Sequence, residues 1–249
     1  MRPWLQVVLV RPSEPGNIGA TARAMHNLGC SQLALVQPCD HLSKPAYQFA
    51  CNAGGILETA QVYSSLAQAV APSHFVLGTT SRNRSHFRPP EPLTQFPQAL
   101  GALPPGCHIS LVFGTERTGL ENEELQRCTH LITIPTATEN PSLNLAQAVL
   151  LVLYQFHLFG EFPDQDSFAK ASVPAISKEL EGLKTQLEGL LSEVGFFKTQ
   201  EQKASLSNSI ADLVARAQPT RRDVALLRGM LHRMQWALTR RNQRETRGV

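Results

Sequence analysis

Several features that would assign a class at once are missing. No apolar run in the 249 residues approaches the ~20 that a membrane-crossing helix requires; the longest, such as Ala146–Tyr154, fall far short. Charged residues make up only 17% against 42% hydrophobic, so the chain does not read as disordered. The five cysteines, Cys30, Cys39, Cys51, Cys107 and Cys128, are odd in number and form no CxxC. Neither a disulfide framework nor a zinc site is expected, and a reduced cytoplasmic protein is the simpler reading. After the first apolar run stands Gly16-Asn17-Ile18-Gly19 rather than GxGxxG, so the dinucleotide fingerprint is lacking. There is no GxxxxGK[ST], no HxxxH or HxH among the eight histidines, and no GxSxG. No metal and no membrane partner is therefore expected. The N-terminal MRPWLQVVLVRP runs into Pro12 and Pro15 with no small-residue cleavage pattern, and reads as a first strand rather than a signal peptide.

What is present is an alternation. Leu5–Val10, Leu33–Val36, Phe75–Gly78, Ile109–Phe113 and Leu131–Ile134 are short, apolar and β-branched, hence strand-like. Between them, Asn17–Leu28, residues 47–60, residues 64–71, Asn122–Arg127 and Leu143–Leu158 read as helices. The last is apolar enough to be buried nearly all round. Strands alternating with helices predict an α/β domain, a parallel sheet with helices on both faces, over residues 1–160. A polar linker follows at about 161–171. Residues 172–249 then carry only helical patterns: Ile176–Val194, Glu201–Ala217 and Arg221–Arg241. Thr220 is placed to cap the last, and its Leu226, Met230, Met234, Leu238 stripe is expected to be core. The net charge of +3 is uneven, because residues 219–249 hold eight arginines against Asp223 and Glu245, leaving the rest at −3. A basic end on a mildly acidic body fits a polyanion partner or, equally, a solvated helix face.

Three loops fall at the C-terminal ends of predicted strands, where α/β sheets bind ligands. In the first, Asn17 can cap a helix and Gly19 permits close backbone approach, while Arg23 can hold a phosphate or be an ordinary surface arginine. In the second, Gly114 and Gly119 flank Glu116 and Arg117 in a tight turn. In the third, Ser142 is placed as an N-cap before an apolar helix, with Asn144 beside it. Each alone is modest.

Taken in order, GNIGATARAM (16–25), LVFGTERTGLENEEL (111–125) and PSLNLAQAV (141–149) resemble the three motifs of the SpoU branch of the SPOUT methyltransferases, over residues 5–160. Three further fragments, GFF (195–197), ARAQP (215–219) and LLRGML (226–231), are similar to the helical C-terminal extension of the TrmJ-type tRNA ribose methyltransferases. The resemblance implies a C-terminal trefoil knot, a homodimer, and S-adenosylmethionine held by backbone from Thr79, Thr80, Ser81, Gly114, Glu116, Ile134, Ser142, Leu143 and Asn144. It implies tRNA as partner and ribose 2′-O-methylation, at nucleotide 32 of the anticodon loop. Asn17, Arg23, Glu116, Ser142 and Asn144 match the family's catalytic positions. A guanidinium scarcely deprotonates, so Arg23 is expected to clamp a phosphate that accepts the proton. Arg82, Arg84 and Arg88, after the first knot loop, and Arg221 and Arg222 suit further RNA phosphates. Two other functions compete: a ribosomal-RNA methyltransferase of the same fold, and a non-catalytic RNA-binding protein that keeps the knot.

Overall fold

The computed structural model describes residues 4–82, 89–95, 106–137, 139, 142–158 and 173–247. The predicted linker at 161–171, and Arg84 and Arg88, lie outside the described residues.

Seven strands form one sheet: β1 (Leu5–Val10), β2 (Gln32–Val36), β3 (Gln61–Tyr63), β4 (Phe75–Thr79), β5 (Glu91–Pro92), β6 (Ile109–Phe113) and β7 (His130–Thr133). Their order is β3-β2-β1-β6-β4-β7-β5, and every neighbouring pair is parallel. In the central register Val7 stands between Leu33 and Leu111. The strand sequences are continuously apolar because both faces are covered. Leu5, Val7, Leu9, Leu35, Leu77 and Leu111 pack on one side beneath α1 (Pro15–Asn27), α2 (Lys44–Ala50), α3 (Gly54–Glu58) and α6 (Leu145–Leu158). Val8, Val10, Val36, Val76 and Val112 pack on the other beneath α4 (Leu66–Val70) and α5 (Asn122–Leu125).

Several boundaries differ from expectation. α1 starts at Pro15, whose fixed φ suits the first helical position. Across it, a side chain on Gly19 would come within 2.0 Å of the Ala46 carbonyl oxygen, so α1 and α2 touch backbone to backbone. The helix expected over 47–60 breaks at Cys51, whose φ of 51° cannot continue an α-helix. A 3-10 turn, Cys51–Ala53, then leads into α3. β3 and β5 are short edge strands that the sequence reading missed. α6 begins at Leu145 and is not buried all round: Leu150, Leu151, Tyr154 and Leu158 are exposed on its outer side.

The C-terminal region comprises α7 (Ser177–Glu193), α8 (Gln200–Ala217) and α9 (Arg221–Arg247). Thr220 does cap α9: its Oγ1 accepts from the Asp223 N–H at 3.3 Å, and Asp223 Oδ2 accepts in return from the Thr220 N–H and hydroxyl. α7 and α9 run parallel, with contacts every seven residues: Arg221–Glu179, Arg228–Gln186 and Gln235–Glu193. That face of α9 carries Val224 and Leu231, which meet Leu183 and Leu180. The Leu226, Met230, Met234 stripe starts two residues further on, about 200° round the helix. It therefore faces away from α7 and is exposed (65%, 50% and 51%), with Leu238 half-buried. The expected core role is overturned. The helices join the body where the Ser177 N–H donates to the Ser73 carbonyl at 2.7 Å, and where Arg127 pairs with Glu181 at 3.3 Å.

Candidate functional site

The C-terminal ends of β4, β6 and β7 and the start of α6 enclose a cleft of about 360 Å³. Thr79, Thr80, Ser81, Gly114, Glu116, Ile134, Ser142 and Leu143 all line it, as does Arg82. Gly119 and Arg117 of the tight turn line it too, and Phe113, Thr115, Thr118, Leu120, Leu145 and Ala148, which the sequence reading did not single out, complete the wall. The only signal for them was adjacency to the glycines and to the first turn of α6.

The wall after β6 is a tight reversal. Gly119 has a φ of 69° and its N–H donates to the Thr115 carbonyl at 3.0 Å, while the Thr115 and Thr118 hydroxyls bond each other at 2.8 Å. Gly114 lies against the far limb of that turn, and a Cβ on it would fall 2.1 Å from the Gly119 carbonyl carbon. Both glycines are required by the geometry, one for its backbone angle and the other for its proximity.

Glu116 reaches out of this turn into the β1–α1 loop. Its carboxylate accepts from the Ser13 N–H (3.1 Å) and hydroxyl (2.9 Å), the Glu14 N–H (3.2 Å) and Asn17 Nδ2 (3.0 Å). Burial pushes its pKa up, but the hydrogen bonds from Asn17 and Ser13 outweigh that and hold the carboxyl below the ordinary glutamate value. Asn17 Oδ1 in turn accepts from Asn144 Nδ2 at 2.9 Å. Asn144 Oδ1 accepts from the Ala146 N–H at 2.9 Å and the Gln147 N–H at 3.4 Å. Two sequence readings change here. Asn17 lies inside the first turn of α1, which its side chain does not cap, and Asn144 rather than Ser142 caps α6. Asn17, Glu116 and Asn144 thus form one chain at the cleft rim, tying together loops that are distant in sequence.

The predicted arginines are not gathered in one place. Arg82 lines the cleft, beside a turn in which its N–H donates to the Thr80 hydroxyl at 3.2 Å. Arg23 is exposed on α1 and makes no ion pair among the described residues. Arg221 is held by Glu179 at 2.6 Å at the start of α9, next to the loop that precedes β4 and so at the opposite end of the strands from the cleft; Arg222 beside it is exposed.

Comparison with known proteins gives two family matches. The SpoU rRNA Methylase family profile matches residues 4–154, and the profile of the tRNA methyltransferase TrmJ C-terminal domain matches residues 178–247. The chain is 36% identical over 233 residues to the tRNA (cytidine/uridine-2′-O-)-methyltransferase TrmJ of Sodalis glossinidius, covering 91% of this chain and 89% of that one. It is also 36% identical over 240 residues to the tRNA (cytidine/uridine/adenosine-2′-O-)-methyltransferase TrmJ of Pseudomonas aeruginosa, covering 91% and 92%. The crystal structure of TrmJ from Z. mobilis ZM4 superposes with a TM-score of 0.80 at 32% identity, covering 92% of this chain and 98% of that one.

Proposed function

The chain belongs to the SpoU rRNA Methylase family, and from that membership we propose that it is a tRNA (cytidine/uridine-2′-O-)-methyltransferase that uses S-adenosylmethionine. The observation that carries this reading is the cleft with the Asn17–Glu116–Asn144 chain at its rim, in a molecule whose tail matches the TrmJ C-terminal domain.

A cleft of about 360 Å³ is of small-ligand size. Its wall alternates apolar groups (Phe113, Ile134, Leu145) with polar backbone at Thr79–Ser81 and Gly114, which fits a nucleoside joined to an amino-acid chain. Thr79, Thr80, Ser81, Gly114, Ile134, Ser142 and Leu143 would hold the cofactor, which supplies an electrophilic sulfonium methyl group. Glu116 and Asn144 act by fixing the walls, since Glu116 spends its carboxylate on the β1–α1 loop and Asn144 its amide on α6 and Asn17. On the RNA side, the second amide hydrogen of Asn17, beyond the one given to Glu116, would orient the ribose hydroxyl. Arg23, exposed and without an ion-pair partner among the described residues, holds the neighbouring phosphate bidentately. When bound, the cofactor would supply its methyl group to the ribose 2′-oxygen and leave as the thioether, while the phosphate held by Arg23 would take up the hydroxyl proton. The work of the protein is alignment of the two partners.

Three finer features belong to the same proposal. The target is the ribose of nucleotide 32 in the anticodon loop. The strand order, in which β6 and β7 both enter between strands already laid down, supports a C-terminal trefoil knot. The exposed Leu150, Leu151, Tyr154 and Leu158 on α6 support a homodimer, and the relatives named as tRNA methyltransferases of bacteria support work in the cytoplasm.

The test is transfer of labelled methyl to total tRNA and, separately, to ribosomal RNA, followed by mapping of the labelled nucleotide. Label on a tRNA ribose is expected. Label on a base, or on ribosomal RNA alone, overturns the reading; the ribosomal outcome is the one the family's own name favours. Arg23→Ala should abolish transfer while cofactor binding, measured by calorimetry, is retained. Full activity in that variant removes Arg23 from the site.

A further inference from the structure

Arg11 stands at the end of β1 with a φ of 47°, in the left-handed region that few arginines occupy. Its N–H donates to the Val36 carbonyl at 2.8 Å, which fixes the backbone against β2. That backbone turns the side chain across the sheet edge to α5, where Nη1 donates to Glu124 Oε1 and Nη2 lies 3.0 Å from Glu121 Oε1. Glu124 is almost fully buried, and its other oxygen accepts the Glu121 N–H at 2.7 Å, so the same carboxylate caps α5 and receives the guanidinium.

We propose that Arg11 is a positioning residue for methyl transfer, locking the loop that bears Asn17 to the loop that walls the cofactor cleft. The proposal rests on the methyltransferase reading above. The Gly114–Leu120 turn is tied to the β1–α1 loop at two places, one on each side of the cleft wall. Glu116 grips Ser13, Glu14 and Asn17 from within the turn, and Glu121 with Glu124 grips Arg11 just beyond it. With one tie the turn can pivot about Glu116; with two it cannot rotate against α1. The separation and angle between ribose and methyl donor depend on that relative placement. A misplacement of about 1 Å can cost about 100-fold in rate. Arg11 is absent from the cleft wall, so its effect is on alignment rather than on cofactor binding.

The experiment compares Arg11→Met, Arg11→Lys and the milder Glu121→Gln with the parent protein. Single-turnover methyl transfer is measured at saturating cofactor and tRNA, alongside calorimetric cofactor affinity, filter-binding of tRNA and the thermal midpoint. Arg11→Met is expected to lower the single-turnover rate by about tenfold or more, with cofactor and tRNA affinities within about threefold of the parent. Arg11→Lys, which keeps one charge but not the fork, should recover part of that rate, and Glu121→Gln should lie between it and the parent. A rate within about twofold of the parent in Arg11→Met overturns the proposal. So does a rate loss matched by an equal loss of cofactor affinity, which is the signature of a role in folding alone. If Arg11→Met does not fold, an unchanged rate in both Arg11→Lys and Glu121→Gln overturns it as well. A parent protein with no transfer to any RNA would instead remove the methyltransferase reading.

Discussion

The sheet body and the C-terminal helices keep their shape by different means. In the body, Leu5, Val7, Leu9, Leu77, Ile109, Leu111 and Phe113 are sealed between the sheet and one helical layer, and Val8, Val10, Val76 and Val112 between the sheet and the other. In the C-terminal region the buried cluster is Ala175, Leu183 and Val224, helped by Leu180 and Leu231. Order there comes from polar contacts repeated along α7 and α9 and from anchorage on Ser73 and Arg127 of the body. The body can therefore hold its strand ends rigid enough to build a cleft of defined shape. The helices offer length, charge and an exposed Leu226, Met230, Met234 stripe, and they share with α4 and Arg127 of the body a hollow of about 530 Å³.

The sharpest way to break this contrast is to cut into each core. Leu111→Ala in the central strand should cost about 3–5 kcal/mol, while Leu183→Ala in the helical cluster should cost nearer 2 kcal/mol, because a small, partly open cluster collapses more readily on the gap. Urea unfolding read separately from each region's tryptophan, Trp4 or Trp236, gives the two values; equal costs would mean that the helices possess a core as tight as the sheet's. A smaller effect tests the tie at the cleft rim. The Glu116 carboxyl is held below its ordinary value of 4.5, so its contribution is fully present above that value and is lost as pH falls through the lower, folded one. Glu116→Gln should cost about 1 kcal/mol near neutrality, given partial solvent screening. That gap should narrow progressively as pH falls below 4.5, when denaturation midpoints of variant and parent are compared. The smallest effect concerns the stripe. Met230→Gln should alter stability by no more than about 0.5 kcal/mol, whereas a loss near that of Leu183→Ala would put Met230 back in a core.

Much of this was legible in the residues. The long strands announced themselves because a parallel sheet buried on both faces demands continuous apolar runs, as in LQVVLV and ISLVF. The glycine loops marked the ligand edge, and nearly every residue named for the cofactor lies in the cleft wall. What escaped was decided by tertiary neighbours. Gln61–Tyr63 and Glu91–Pro92 are strands only because β2 and β7 are there to pair with, and a proline is poor advertisement for a strand even though an edge tolerates it. Apolar composition could not say which side of α6 meets the sheet, nor that α9 would turn Val224 and Leu231 inward instead of its methionines. The choice of Asn144 over Ser142 as cap was invisible too, because it depends on Asn17 arriving from the other side.

The chain of amides at the rim also has a direction. The backbone N–H groups opening α6 point at Asn144 Oδ1, Asn144 points its own N–H at Asn17 Oδ1, and Asn17 points its N–H at the charged oxygen of Glu116. All the dipoles run head to tail and end on a fixed negative charge, an arrangement in which each bond polarises the next. The sequence of donors cannot be reversed, because flipping both amides would set Asn17 Oδ1 against the Glu116 carboxylate and Asn144 Nδ2 against the backbone N–H groups of α6. Three segments that span 127 residues of sequence therefore share a single electrical polarity, and the charge on Glu116 is felt at the start of the helix that closes the cleft.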